Sequence, residues 1–163
     1  MKKNVSILLL IVLGLVCSCS SVPPTTISPN VDFSKYTFAT TGTIFTGSDS
    51  PTYGGWADVS SLVEETLESC GYSVISRTGR DALSDEERAK LLMVTWERKA
   101  TTFTYLFIPI GREAECTITI ADYTSRGILA TYKGASRGFY SKKRPAQAIE
   151  KALKEMEKQL RKN

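Results

Sequence analysis

A short apolar run near the amino terminus separates a leader from the part of this chain that can fold. The run extends from Val5 to Val16, and Lys2 and Lys3 precede it. About 12 residues at about 1.5 Å each span roughly 18 Å, whereas the hydrocarbon core of a bilayer is about 30 Å thick. The run is therefore typical of a secretory signal peptide and too short for a membrane-spanning helix.

The residues at the end of this run predict where the leader is cut. They read Val16-Cys17-Ser18-Cys19, so a small serine precedes Cys19 whereas a β-branched valine precedes Cys17. This order, a branched aliphatic residue, then a small residue, then cysteine, resembles that of bacterial lipoprotein signals. We therefore expect cleavage before Cys19 and acylation of its thiol. The alternative is an ordinary secretory leader cut nearby, which would leave Cys19 a plain thiol.

These assignments divide the chain into a signal peptide at 1–18, a lipidated Cys19 with a flexible tether at 19–30, and a single domain at 31–163. The tether is rich in Ser, Thr and Pro, and such a segment buries little apolar surface. Several acyl chains on Cys19 would hold the protein stably on a membrane, since one chain binds only marginally. Because Ser20 follows the cysteine, similarity to enterobacterial sorting predicts the outer membrane, facing the periplasm.

Composition argues against catalysis and against nucleic-acid binding. The net charge is +4, but two of the positive charges lie in the leader, so no basic nucleic-acid footprint is expected. The chain has no histidine, which excludes histidine-dependent nucleophilic and metal sites. The acidic cluster at 81–87 lacks the spacing of a calcium loop, and Gly134–Gly138 lacks the ending of a phosphate loop. We expect a non-enzymatic protein without cofactor or metal.

Two cysteines besides Cys19 remain in the folded part, Cys70 and Cys116. An oxidising periplasm would permit a disulfide between them. Buried free thiols are the favoured interpretation.

Hydrophobic periodicity predicts an α+β domain. The predicted elements are a strand at 33–46, a helix from Trp56 or Asp58 to Gly71, a strand at 72–77, a capped turn at Ser84, strands at 91–96, 101–110, 116–123 and 128–136, and a helix beginning near Pro145. Pro109-Ile110-Gly111 predicts a turn, and Gly134–Gly138 predicts a strand end or bulge. Hairpins between two helices favour a two-layer sandwich, a mostly antiparallel sheet of about five strands with two main helices on one face.

The opening of the domain resembles a family of bacterial lipoproteins that carry an uncharacterised envelope domain. Asp32-Phe33-Ser34-Lys35-Tyr36-Thr37-Phe38 is similar to the start of that domain's first strand. The Gly71-Tyr72 step, the strand at 117–122 with its turn to Gly127, and the closing helix also suit the layout. The more distant α/β domain of TolB amino-terminal and curli-secretion lipoproteins is similar too. The resemblance implies an envelope domain without enzymatic activity, and it carries over no catalytic residue.

Two sets of residues are candidates for binding. The first is the segment Phe103–Ile110, in which Phe103, Tyr105, Phe107 and Ile108 either pack in the core or form a protruding patch for a partner protein or the bilayer. The second is Lys142, Lys143 and Arg144, which with Arg137 form either a solvated face or a contact for anionic lipid.

The resulting hypothesis is an envelope binding or assembly module, whose partner is an envelope protein or a glycolipid. The alternative is a carrier of a small ligand or glycolipid, with a cavity between sheet and helices. The oligomeric state stays open.

Overall fold

One open, mixed sheet forms the framework of the domain in the computed structural model, which describes residues 25–29, 31–43, 58–76, 78–139 and 141–161. Its six described strands are β1 (Thr26–Ile27), β2 (Phe38–Thr43), β3 (Ser73–Val74), β4 (Leu91–Tyr105), β5 (Ile108–Asp122) and β6 (Ile128–Phe139). They lie in the order β1-β6-β5-β4-β2-β3. Strand β2 pairs in parallel with β3 and β4, and the other neighbours are antiparallel. The predicted α+β class is confirmed, with six strands in a mixed sheet where about five were expected.

Three helices complete the described part of the domain: α1 (Val59–Ser69), α2 (Asp85–Arg88) and α3 (Arg144–Leu160). Asp58 caps α1 by accepting a hydrogen bond from the Ser60 N–H at 3.1 Å. The cap predicted at Ser84 is confirmed as a capping box at the start of α2, because Ser84 and Glu87 each accept a hydrogen bond from the other's backbone. Trp56, the alternative start of α1, lies outside the described residues.

Helices α1 and α3 cover one face of the sheet, and the other face is open to solvent. Alternate residues of β5 are buried, among them Cys116, Ile118 and Ile120, as the sequence predicted. Helix α3 packs over β5 and β6, and α1 packs over β2. The open face carries a row of threonines at paired positions of β4, β5 and β6: Thr95, Thr119 and Thr131. This alternation is what a sheet solvated on one face requires.

The beginning of the domain differs from the prediction in two places. Residues Phe33–Lys35 form a 3-10 turn and not the start of a strand, because Asp32 accepts hydrogen bonds from the Ser34 N–H and hydroxyl. Strand β2 therefore begins at Phe38. In addition, β1 lies inside the segment interpreted as a tether, where Thr26 pairs with Thr131 of β6. The sheet thus includes residues that were expected to precede the fold.

A hydrogen bond between Tyr36 and Asp122 ties this first segment to the end of β5. The Tyr36 hydroxyl donates to Asp122 Oδ2 at 2.8 Å. Burial acts to raise the pKa of the Asp122 carboxyl, but hydrogen bonds from the backbone of the following turn and from Tyr36 outweigh it. The pKa therefore lies below the ordinary 3.8.

We expect Tyr36→Phe to lower the free energy of unfolding by about 1 kcal/mol at neutral pH, since a hydrogen bond to a carboxylate is lost in a part-buried place. A carboxyl with a depressed folded-state pKa stabilises above its unfolded pKa, and that contribution is lost as the pH falls through the folded pKa. The difference in free energy of unfolding between wild type and Tyr36→Phe, measured by urea titration, should therefore shrink below about pH 4.

The matched control is Tyr72→Phe, because the Tyr72 hydroxyl donates to the backbone carbonyl oxygen of Phe33 at 3.4 Å, and the hydrogen bond that this variant loses has no titrating acceptor. The loss in free energy of unfolding caused by Tyr72→Phe should therefore change much less over the same pH range than the loss caused by Tyr36→Phe. A Tyr36→Phe cost that stays constant from neutral to acid pH would contradict the assignment.

Candidate functional site: an apolar hairpin tip above basic residues

Strands β4 and β5 form a long hairpin that extends past the rest of the sheet. Each strand has 15 residues, and a turn at Leu106-Phe107 joins them. Strand β6 ends at Phe139, which pairs with Gly111. Three residue steps along β4 lead from Phe103, the partner of Gly111, to the turn, so the hairpin projects about 10 Å further, at about 3.3 Å per residue. The end of the hairpin is thus a two-stranded ribbon standing clear of β6.

Apolar side chains cover this ribbon and face solvent. Phe107 is 100% exposed, and Tyr105, Leu106 and Ile108 are each exposed by 65% or more. The hairpin tip, as the term is used below, comprises Phe103, Tyr105, Leu106, Phe107, Ile108, Ile110 and the adjacent Phe139. The sequence from Phe103 to Ile110 contains no charged residue. A contiguous exposed apolar surface of this kind marks a place where proteins meet a partner or a membrane.

The turn itself uses residues that are poorly suited to its geometry. Leu106 has φ 47° and Phe107 has φ 66°, both in the left-handed region. A two-residue hairpin turn with two positive φ angles favours Asn-Gly, and a bulky residue there costs about 1 kcal/mol or more. Strain at an exposed position points to a use for the side chains that cause it.

Two predictions for this segment are corrected by the structure. The predicted turn at Pro109-Ile110-Gly111 is wrong, because the chain reverses at Leu106-Phe107 and β5 runs through the proline. The extra residue in β5, between the partners of Phe103 and Thr104, forms a bulge, a place where a strand tolerates irregular pairing. The interpretation that Phe103–Ile110 packs in the core is also wrong, since its apolar side chains are exposed.

The predicted basic set lies at the same end of the domain as the hairpin tip. Helix α3 begins at Arg144, shortly after β6 ends at Phe139. Lys142 and Lys143 precede the helix, and both are exposed. The structure therefore brings together two candidate sets that are separated by more than thirty residues in sequence.

Contacts hold two arginines at the base of the tip. The Arg137 guanidinium lies 5.4 Å from the centre of the Phe103 ring, within the range of a cation–π contact. Arg144 donates to Gln147 Oε1 at 3.3 Å and to the Ser136 hydroxyl at 3.5 Å, which fixes the start of α3 against β6. Glu113, opposite Arg137 in the ladder, is the acidic neighbour at this level. Together, Arg137, Lys142, Lys143 and Arg144 are called the basic collar below.

Cys19, the predicted lipidation site, lies outside the described residues, and β1 is the described strand nearest to it in the sequence. Strand β1 is antiparallel to β6, with Thr26 opposite Thr131 and Ile27 opposite Ala130. Followed towards the amino terminus, β1 therefore runs in the direction of Phe139. This is the end that carries the hairpin tip and the basic collar.

The remaining candidates for chemistry are buried or structural. Cys70 and Cys116 are both free thiols. Cys116 is fully buried against the helices, and burial raises the pKa of its thiol to about 12, so little nucleophilic thiolate forms near neutral pH. Sequence inspection did not single out Arg112, which is 1% exposed and faces the helices. No group of three metal-ligating side chains occurs among the described residues.

Two hollows on the described surface are small. One of about 60 Å³ is lined by Lys99, Thr101, Glu113 and Glu115, and one of about 50 Å³ lies beside Cys116 and Gly134. Pockets for small ligands hold about 300–1,000 Å³. In the part of the chain that is described, no helix is long and apolar enough to cross a bilayer.

The fold and the site define an α+β domain with helices on one face of a mixed sheet and a long, apolar-tipped hairpin at one end. The sequence matches no protein-family model and no curated protein. Among solved structures, the chain is similar to the PelC dodecamer from Paraburkholderia phytofirmans, at 14% identity over 82% of this chain and 95% of that one, with a TM-score of 0.51. It is also similar to a minor lipoprotein from Acinetobacter baumannii, at 8% identity over 78% and 89% of the two chains, with a TM-score of 0.42. The likeness to PelC is one of fold.

Proposed function

We propose that the protein is a non-enzymatic lipoprotein of the cell envelope, anchored through acylated Cys19, which binds or assembles with other envelope components. The single observation that carries the binding role is the hairpin tip, whose apolar side chains are exposed up to 100% at Phe107. Exposing such an apolar surface to water does not stabilise the domain. We therefore infer that a protein partner or a membrane covers the hairpin tip.

The anchor rests on the leader and on the order of residues before Cys19. A charged start, a short apolar run and a small residue before a cysteine are the features of an acylated chain. The absence of an aspartate after Cys19 favours the outer membrane. The direction of β1 agrees with an anchor at the end of the domain that carries the hairpin tip.

The alternative function, a carrier of a small ligand or glycolipid, receives less support. A carrier of a small ligand needs a cavity of about 300–1,000 Å³ between sheet and helices. In the described part of the chain that space holds buried side chains, among them Ile118, Tyr132 and Met156. The similar PelC structure is a dodecamer. At 14% identity that likeness concerns the fold, and we propose no oligomeric state from it.

We expect Cys19→Ala to abolish incorporation of a radiolabelled or clickable fatty acid into the protein in cells. The variant should also keep its leader and migrate more slowly, since cleavage of a lipoprotein signal depends on the acylated cysteine. Cys17→Ala is the matched control, because it removes the competing cysteine two positions earlier. It should be acylated and cleaved like wild type.

Acylation that persists in Cys19→Ala, or that disappears in Cys17→Ala, would contradict the assignment of the anchor. Membrane fractionation alone would not decide the matter, because an uncleaved apolar leader can also hold a chain on a membrane.

A further inference from the structure

We infer that the hairpin tip inserts into the same bilayer leaflet that holds the acyl chains of Cys19, with the basic collar at its anionic headgroups. The surface that the hairpin tip contacts is thus a phospholipid membrane. This inference rests on the proposed function, and it names the envelope component that the domain contacts.

The first argument is the division of polarity along the hairpin. The residues from Phe103 to Ile110 are uncharged, and four positively charged residues lie where the ribbon joins the domain. The apolar part projects about 10 Å beyond Phe139, by the rise of β4 from Phe103 to the turn. Interfacial segments bury their apolar side to about 5–10 Å, at the boundary between headgroups and acyl chains. A tip inserted to that depth places the basic collar at the level of the headgroups.

The second argument is charge complementarity. The basic collar holds Arg137, Lys142, Lys143 and Arg144, and Glu113 is the acidic residue that faces Arg137 in the ladder. Lys142 and Lys143 are exposed. Basic residues beside an apolar insertion are attracted to anionic lipid headgroups, whereas a purely apolar protein partner would leave these charges unused.

The third argument is the reach of the chain that carries the anchor. Seven residue steps separate Cys19 from Thr26, which is at most about 25 Å of extended chain. Eight steps along β6 separate Thr131, the partner of Thr26, from Phe139, which is about 26 Å. The anchor can therefore come level with the basic collar, and β1, the described strand nearest to it in sequence, points in that direction when followed towards the amino terminus. Acyl chains, basic collar and hairpin tip can all meet one surface.

The test uses the acylated, full-length mature chain reconstituted into vesicles of phosphatidylethanolamine and phosphatidylglycerol. An environment-sensitive nitrobenzoxadiazole label is placed at Phe107→Cys in a Cys70→Ser background, which leaves Cys116 buried. The matched control carries the label at Ser125→Cys, in the exposed turn at the opposite end of β5. We expect the label at 107 to be quenched by lipid-borne nitroxide and to react with dithionite at least several-fold more slowly than the label at 125.

Charge is tested separately with Lys142→Glu and Lys143→Glu together. The matched control is Lys154→Glu with Lys158→Glu, which changes the net charge equally on exposed positions towards the other end of α3. The first pair should increase dithionite access at position 107 in vesicles that contain phosphatidylglycerol, and the second should not. In vesicles of phosphatidylcholine alone, the two pairs should behave alike.

Each other result overturns the inference. A label at 107 that reacts as fast as the label at 125 would leave the tip in water. Protection that appears without vesicles and rises with protein concentration would assign the tip to a second copy of the chain. Flotation of the vesicles keeps this test separate from that of the anchor, because loss of acylation appears as failure to float with lipid, whereas failure of insertion appears as flotation with an accessible label.

Discussion

Gly134→Ala is expected to destabilise the domain by about 3 kcal/mol, because overpacking a well-packed contact costs typically 1–3 kcal/mol and more where backbone must move. An added Cβ at this position in β6 would overlap the carbonyl oxygen of Ala148 and lie 2.6 Å from the backbone nitrogen of Ala152. Both atoms belong to the backbone of α3, so no change of rotamer can relieve the contact. The helix would have to move off the sheet.

That movement would uncover much of the core, since α3 buries Ile149, Leu153 and Met156 among other residues. Gly42→Ala is the matched control: it is also a glycine inside a strand, but an added Cβ meets no atom within 4 Å. Its stability should change by about 0.5 kcal/mol or less in urea or thermal unfolding. Equal stability of the two variants would show that α3 does not lie against β6 as described.

Leu106→Asn with Phe107→Gly is expected to raise the free energy of unfolding by about 1–2 kcal/mol while removing the apolar end of the hairpin tip. The gain follows from the positive φ angles of 47° and 66°, which asparagine and glycine adopt with less strain than leucine and phenylalanine. If the tip inserts into lipid, the same variant should lose that insertion. Stability and membrane contact would then change in opposite directions.

Two measurements check the expected changes in stability and in membrane contact. Urea unfolding reports the stability, and a nitrobenzoxadiazole label moved to Tyr105→Cys reports whether the ribbon is still shielded in vesicles. Ile128→Ser is the control, since Ile128 is 61% exposed but lies at the start of β6, away from the tip. Ile128→Ser should change neither the free energy of unfolding nor the shielding of the label by much. A less stable turn variant would contradict the turn geometry, and an unchanged label would contradict the role of the two apolar side chains.

Helices and their ends could be predicted from the sequence because their signals are local. Each signal involves only a few neighbouring residues. These signals are apolar residues at helical spacing, the caps Asp58 and Ser84, and Pro145 at the start of α3. The alternation in β5 likewise predicted its buried face. Pairing could not be predicted in the same way, since nothing in β2 specifies that it lies parallel to β4.

The candidate site shows the same limit. The apolar character of Phe103–Ile110 was evident, but its turn was placed three residues too late, because Leu106-Phe107 has none of the residues that usually mark a turn whereas Pro109 does. Phe139 was missed, because it joins the hairpin tip through the register of β6 on β5 and by no pattern in its own segment. The proximity of the hairpin tip to Lys142 and Lys143 depends on the same register of β6 on β5.

The two edges of the described sheet are strands of two residues each, β1 and β3. An acylated protein is concentrated on a surface, where neighbouring copies collide side by side far more often than they do in solution. Long, flat edge strands would then invite copies to pair edge to edge into aggregates, and very short edges are one way in which proteins prevent this. For the protein as proposed above, acylated at Cys19, the brevity of β1 and β3 limits the edge that each of these strands offers to a neighbouring copy.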